Sequence, residues 1–274
     1  MLPFSLSRWA FIGLLLAALP QCSSLPRPGA SPPAKATSDN EARAVLERSA
    51  KTTGQAWQRY QSVEVGYQGQ WSRLSPKIQP VLVDEGYRHE SMEMYRPRKK
   101  RVSQSHRGPS GFKTVFRQGR EPAVVTYNGQ KSSEPEAISA AGLVTDAYTL
   151  FLFGSSWLLD NADAFSMLRE RAVEGDRCDL IHCEIRPGLG DSGSDFIIAW
   201  VSQKSGKLRR VQFSLNGLES TRGADADVTF HDFITASDGS VWPTRFVEYV
   251  RRPFVFKAHE WKLVGLKLEG QRVL

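Results

Sequence analysis

Apolar positions fall first at helical spacing: Ala42, Val45, Leu46, Ala50 and later Trp57 follow Ser38 or Asp39 as cap, with Glu41 in the first turn. From Val63 the period changes to two. Val63, Val65, Tyr67 and Trp71 share one face, with Glu64, Gly66 and Gln68 on the other, which predicts a strand with one buried face. Further β-rich runs occupy 86–95, 100–106, 112–118 and 123–128, then 178–186, 196–202, 208–216, 226–234, 244–249 and 259–269. Asn128-Gly129, Ser205-Gly206, Asn216-Gly217 and Asp238-Gly239 supply turn positions that tolerate positive φ. Consecutive strands joined by such turns make an antiparallel meander, because parallel pairing needs long crossovers.

The meander is interrupted at 137–169. Residues 147–153 and Trp157-Leu158-Leu159 are apolar nearly all round and broken by Gly154, and a second amphipathic stretch, read as helical, covers 162–168. A helix apolar on every side must be enclosed, which a flat sheet cannot do. The expected fold is therefore α+β: a strongly curved antiparallel β-sheet, an open half-barrel of about ten strands, with an N-terminal helix and internal helices plugging the concave face. The expected lining is Val65, Tyr67 and Trp71 from the first strand, Met92 and Met94 from the second, and Phe112 and Phe116 after them. Val211, Phe213, Val228, Phe230, Trp261 and Leu263 come from later strands, and Leu150, Phe153 and Trp157 from the plug. Methionine among aromatics suits irregular apolar contents. Gly154 is the expected hinge.

The amino end changes the compartment. Arg8 precedes an apolar run at 9–20, too short to span a bilayer, so residues 1–21 read as a signal peptide. Leu19-Pro20-Gln21-Cys22 resembles a bacterial lipobox, with Gln21 where a small residue is usual, and makes Cys22 the expected lipidated amino terminus. Ser23 and Ser24, rather than Asp, follow it, which in a diderm bacterium resembles cargo released to the outer membrane, facing the periplasm. Residues 22–38 are rich in Pro, Ser and Ala and read as a flexible tether. Residues 39–274 form a single domain. The 274-residue composition, 41% hydrophobic and 24% charged, excludes a disordered or polytopic membrane protein, and a net charge of +7 selects no partner.

The order of parts, an amino-terminal helix, antiparallel strands, an internal helical plug and more strands, resembles the LolA-like family of periplasmic lipoprotein-handling proteins, a superfamily that includes LppX- and RseB-type half-barrels. Tyr95-Arg96-Pro97-Arg98-Lys99-Lys100-Arg101 resembles the family's Arg-Pro strand-turn-strand segment, and Val124-Val125-Thr126-Tyr127-Asn128-Gly129 the strand that follows. The resemblance implies an unclosed β barrel capped by helices and holding acyl chains or another apolar ligand without doing chemistry on it. The expected anchor at Cys22 adds membrane attachment, a departure from the soluble carrier, and an envelope protein is the further partner expected. Scaffold or signal-sensing roles on a filled core, and an envelope hydrolase, are the alternatives.

Other motifs add little chemistry. Gly190-Asp191-Ser192-Gly193 has the composition of a flexible turn and lacks the surroundings of a serine nucleophile. His89, His106, His182, His231 and His259 are scattered singly, so no metal site is expected, and no phosphate or dinucleotide fingerprint is present, so no cofactor is expected either. Cys178 and Cys183 face opposite sides of one predicted strand and pair only if Asp179-Leu180 makes a turn. Asp225 with Asp227, and Glu170 with Glu174, read as solvated charge. Arg96, Arg98, Lys99, Lys100 and Arg101 read as a solvated turn with lipid headgroup contact as their functional use; export disfavours nucleic acid. Intact mass of the membrane-extracted protein is expected to exceed that of the chain starting at Cys22 by a diacylglyceryl group, and a mass without that increment contradicts the anchor.

Overall fold

The computed structural model describes residues 25–30 and 39–274. The signal peptide, Cys22 and the rest of the expected tether lie outside the described residues. The domain opens with α1 (Asp39–Thr52), which buries Ala42, Val45, Leu46, Ser49 and Ala50, and the single turn α2 (Ala56–Arg59). β1 (Val63–Trp71) follows, then two one-turn helices, α3 (Ser75–Ile78) and α4 (Pro80–Val83). A first meander runs through β2 (Glu90–Arg96), β3 (Arg101–Gly108), β4 (Gly111–Gln118), β5 (Val124–Tyr127) and the short β6 (Gln130–Lys131). After the long α5 (Pro135–Asn161), a second meander comprises β7 (Ala162–Val173), β8 (Asp176–Ile185), β9 (Asp195–Ser202) and β10 (Leu208–Ser214). It continues through β11 (Asp225–Thr235), β12 (Val241–Arg252), β13 (Phe256–Leu268) and β14 (Gln271–Arg272).

All pairings are antiparallel, and the strands form one sheet ordered β6-β5-β4-β3-β2-β1-β13-β12-β11-β10-β9-β8-β7, with β14 beside β13. Only one join is not sequential: β1 pairs with β13 from Val63↔Leu268 to Trp71↔His259, with a bulge at Gly66/Tyr67. That join makes the two meanders one open sheet whose free edges are β6 and β7. α5 leaves one free edge and enters the other, so it must cross the opening, and eighteen of its 27 residues are buried there. It is long and apolar enough to cross a membrane by length and composition, but its apolar surface is spent on the core. Gly154 breaks it at φ 50°, ψ −124°, a region open to glycine, and a Cβ there would stand 2.9 Å from Leu208. The short segment beyond the break is held by Ser155 Oγ donating to Ser49 Oγ (2.8 Å), by the Trp57 amide donating to Ser156 Oγ (3.1 Å), and by Trp57 Nε1 donating to Asp160 (2.9 Å).

Two expectations are corrected. Residues 162–168 are not helical but form the start of β7, where Phe165 pairs with Cys183 and Met167 with Ile181. The unpaired edge of β8 offers hydrogen bonds that outweigh a weak helical pattern. Among the described residues the strand count rises to fourteen, through β7 and the two-residue β6 and β14. The second meander is also apolar on its outer face: Val173, Cys178, Leu180, Ile198 and Trp200 form a separate cluster there. Residues 25–30, expected to be free tether, lie across this face, with Leu25 packed on the cluster. Their carbonyls are taken up by side chains: Arg252 Nη2 donates to Leu25 O (3.2 Å), Gln212 Nε2 to Pro26 O (3.1 Å), and His182 Nε2 lies 2.9 Å from Pro28 O.

Cys178 and Cys183 are free and buried, one in the outer cluster and one in the inner core, because β8 runs straight through both. Burial pushes the Cys178 thiol up to about 11 and the Cys183 thiol higher still. Both are expected to resist a thiol reagent in the native protein and to react stoichiometrically on unfolding without reductant. A requirement for reductant would contradict this geometry.

Candidate functional site: a lidded apolar trough

Twelve of the sixteen expected lining residues do line the concave side. Val65, Tyr67, Val211, Phe213, Val228, Phe230, Trp261 and Leu263 meet Leu150, Phe153 and Trp157 of α5 in one core, and Trp71 packs against it at the rim. Ring contacts knit the centre: Phe151 stands 5.5 Å from Phe213 and 5.7 Å from Phe246, and Tyr67 5.5 Å from Phe246. Met92, Met94, Phe112 and Phe116 point the other way. They stand on the outer face of β2 and β4, with Met92 56% and Phe112 55% exposed, and therefore do not line the trough.

The physical reason is the company they keep. The alternate positions of β2–β4 turn inward carrying Ser91, Glu93, Gln104, His106, Lys113 and Arg117, all buried. A rule that sends the more apolar face inward fails where inward polar groups find partners. Lys113 Nζ reaches Asp84 at 2.6 Å, and Tyr127 donates to the same carboxylate (2.9 Å). Ser91 (3.0 Å) and Tyr95 both donate to Glu93. Arg117 and Arg120 each stand 3.2 Å from Asp146 on α5. Burial lifts Glu93 and Asp146 above the ordinary carboxylate range despite these donors, and lowers Lys113 despite Asp84. His106 is held well below 6.5 by burial and then by the charges of Arg88 and Lys113, so it is neutral.

At the Trp71 end of the trough, α3 and α4 lie over the gap between α5 and the sheet. Prolines at the first helical turns start both helices, and Asp84 in the left-handed region (φ 48°) ends the second. Ser75 Oγ donates to Ala258 O (2.8 Å), and Gln79 Nε2 to Ser220 O (2.7 Å). Arg88 is the main tie: Nη1 donates to Leu82 O (2.8 Å), Nη2 to Tyr148 OH (3.1 Å), and the guanidinium lies 5.0 Å from the Trp71 ring centroid. Beneath this lid is an apolar cavity of about 70 Å³, bounded by Leu82 and Val83, by Val144, Ala147 and Phe151 of α5, and by Val250, Phe256 and Ala258 of the sheet. His259 and Glu248, 2.7 Å apart, stand at its wall.

Arg88, the lid residues, Ala147 and the Val250–Phe256 hairpin were missed in the sequence. The signal was present in Ile78, Val81, Leu82 and Val83, an apolar cluster between two prolines and Asp84 that has no strand alternation. The basic turn stands elsewhere: Arg96 ends β2, Arg98, Lys99 and Lys100 are exposed, and Arg101 lies over the Phe116 ring at 5.4 Å. Tyr95 pairs with Val63, so this turn sits at the far end of β1 from Trp71, about 27 Å of strand away. Gly190 and Ser192 belong to the β8–β9 turn, which is tied to the β4–β5 connection and to α5. Arg120 donates to Pro187 O (2.6 Å) and Gly188 O (2.5 Å), the Gly190 amide donates to Asp146 (2.9 Å), and Ser192 Oγ donates to Ser194 O (2.8 Å). Asp227 is buried between Arg210 (3.0 Å) and Arg251 (2.7 Å), and Arg252 pairs with Asp225 at 2.5 Å, so these carboxylates are ion-paired rather than solvated. Among the described residues no group of three or more metal-binding side chains converges.

No family model matches the sequence, and no curated protein matches it. Among solved structures the chain is similar to a LolA superfamily protein from Nitrosomonas europaea at 12% identity, covering 83% of this chain and 93% of that one with a TM-score of 0.49. It is similar to a DUF1329 family protein from Desulfovibrio piger at 11% identity, with the same coverages and TM-score. It is also similar to the Mycobacterium tuberculosis lipoprotein LppX at 18% identity, covering 67% and 91% with a TM-score of 0.29.

The buried ionisable groups set opposing pH dependences. His106 stays neutral when folded but takes a proton below about pH 6.5 when unfolded, so its contribution is present above that value and is lost as pH falls. Glu93 holds its proton in the folded state to a higher pH than in the unfolded chain, so its contribution is present at low pH and lost as pH rises. Denaturant titrations from pH 7 to 5 are expected to show that His106→Asn removes up to about 1.4 kcal/mol per pH unit of acid-side loss. A wild-type slope retained in that variant would contradict the burial of a neutral imidazole.

Proposed function

We propose that the chain is a non-enzymatic, lipid-anchored envelope protein, facing the periplasm from the outer membrane, that binds an acyl chain or a similarly apolar molecule between α5, its lid and the concave sheet. The observation carrying this reading is the cavity beneath α3 and α4. It is walled by aliphatic and aromatic side chains and covered by two single-turn helices. Its volume of about 70 Å³ is half of the roughly 150 Å³ that admits a benzene-sized guest, so an acyl chain enters only when the lid lifts and the cavity extends along α5. Each methylene then taken from water contributes about 0.8 kcal/mol, which grades affinity with chain length. The Gly154 break allows the two parts of α5 to move separately.

The same small volume supports a second reading, an envelope scaffold or signal-sensing partner whose core is already filled. A fluorescent fatty acid titration separates the two. Arg88→Met, which removes the tie between lid and plug, is expected to speed uptake, and Ala147→Leu, which fills the cavity, to weaken binding at least tenfold without loss of folding. Saturable binding absent from wild type and Arg88→Met alike would leave the scaffold.

A further inference from the structure

We infer that the mouth of the trough is itself a membrane-docking surface, seated on the bilayer that carries the anchor, with the tip of the β12–β13 hairpin inserted among the lipids. The inference deepens the carrier reading and rests on it for the anchor at Cys22.

Three independent features meet at this end of the molecule. The hairpin tip, Arg251-Arg252-Pro253-Phe254-Val255-Phe256-Lys257, exposes Phe254 (46%) and Val255 (42%), and the Phe254 and Phe256 rings stand 5.4 Å apart. Beside it, α3 and the residue before it expose Leu74 (41%) and Ile78 (36%), with Arg73 and Lys77 also in solvent. The two elements are neighbours, since Ser75 Oγ bonds Ala258 O and Ile78 and Phe256 border the same cavity. Apolar tips with cations alongside match a bilayer interface that is greasy within and anionic at its surface.

The third feature is where the chain arrives. The segment at residues 25–30 crosses the outer face of the second meander and delivers Leu25 to Arg252, at the base of the same hairpin. Cys22 is three residues earlier in the sequence, so at most about 11 Å of backbone separates the expected acylated residue from Leu25. An anchor on so short a lead cannot hold the opposite end of β1 against the membrane. The basic turn at Arg96–Arg101 consequently points away from the bilayer, and an acyl chain passes between membrane and cavity under α3 without crossing water.

The test places a nitroxide on the mature anchored protein in vesicles of phosphatidylethanolamine and phosphatidylglycerol, at Phe254→Cys, Ile78→Cys or Lys99→Cys, with the buried Cys178 and Cys183 left in place. Labels at 254 and 78 are expected to be relaxed by membrane-dissolved oxygen and shielded from a water-soluble nickel chelate, and the label at 99 to show the reverse. A second measurement uses the unacylated Cys22→Ser protein: adding Phe254→Ser with Val255→Ser is expected to lower vesicle partitioning at least tenfold. A water-exposed label at 254 on anchored protein, or partitioning unchanged by the double substitution, overturns the docking surface. Bound lipid found alongside that result keeps the carrier reading, whereas an inserted label with no lipid ever bound removes the carrier reading alone.

Discussion

The pairing of β1 with β13 is the constraint from which the rest follows. It joins two sequential meanders into a single open sheet and leaves their outermost strands as free edges on either side of a gap. The connection between those edges then has nowhere to run except across the concavity, and a connection so placed must be apolar on nearly all sides. α5 is that connection. Its side chains form much of the core, and the space they leave beneath α3 and α4 is the lidded cavity.

The inner strip of β2–β4 shows how much polarity such a core accepts. Lys113 with Asp84, Glu93 with its hydroxyl donors, and Arg117 with Asp146 are paired where a greasy lining was expected. Removing one partner of the Lys113–Asp84 or Arg117–Asp146 ion pair costs several kcal/mol, on the order of 3–5, because the other is left charged and dry. Arg117–Asp146 therefore holds the first meander against α5, while Lys113–Asp84 fixes the end of α4 to β4, which leaves α3 and the start of α4 near Trp71 as the part of the lid free to move. Arg88 stands at the boundary, held through a carbonyl of the lid and a hydroxyl of the plug rather than through a carboxylate, so it releases the lid at the cost of hydrogen bonds to neutral groups.

The period-two runs and the Asn-Gly, Ser-Gly and Asp-Gly turns made the meanders legible in the sequence, and the all-round apolar run at 147–153 made the enclosed helix legible too. The facing of β2 and β4 was not. Met92, Met94, Phe112 and Phe116 look more buriable than Glu93 or Lys113, and only partners that alternation does not reveal, the sequence-distant Asp84 for Lys113 and the nearby Tyr95 for Glu93, reverse that order. β7 was hidden for a related reason, since Phe165 and Met167 take strand geometry from the waiting edge of β8 and not from their own pattern. The docking of residues 25–30 depends on an outer apolar cluster around Trp200 that alternation alone assigns to solvent.

Native mass spectrometry of the protein, extracted gently from the cells that make it, tests the central claim most directly. A lidded trough in use as a carrier predicts a population heavier than the protein's own denatured mass by one noncovalent acyl-containing molecule, lost on activation and depleted in Ala147→Leu. A single mass equal to that denatured mass, in wild type and Arg88→Met alike, contradicts it.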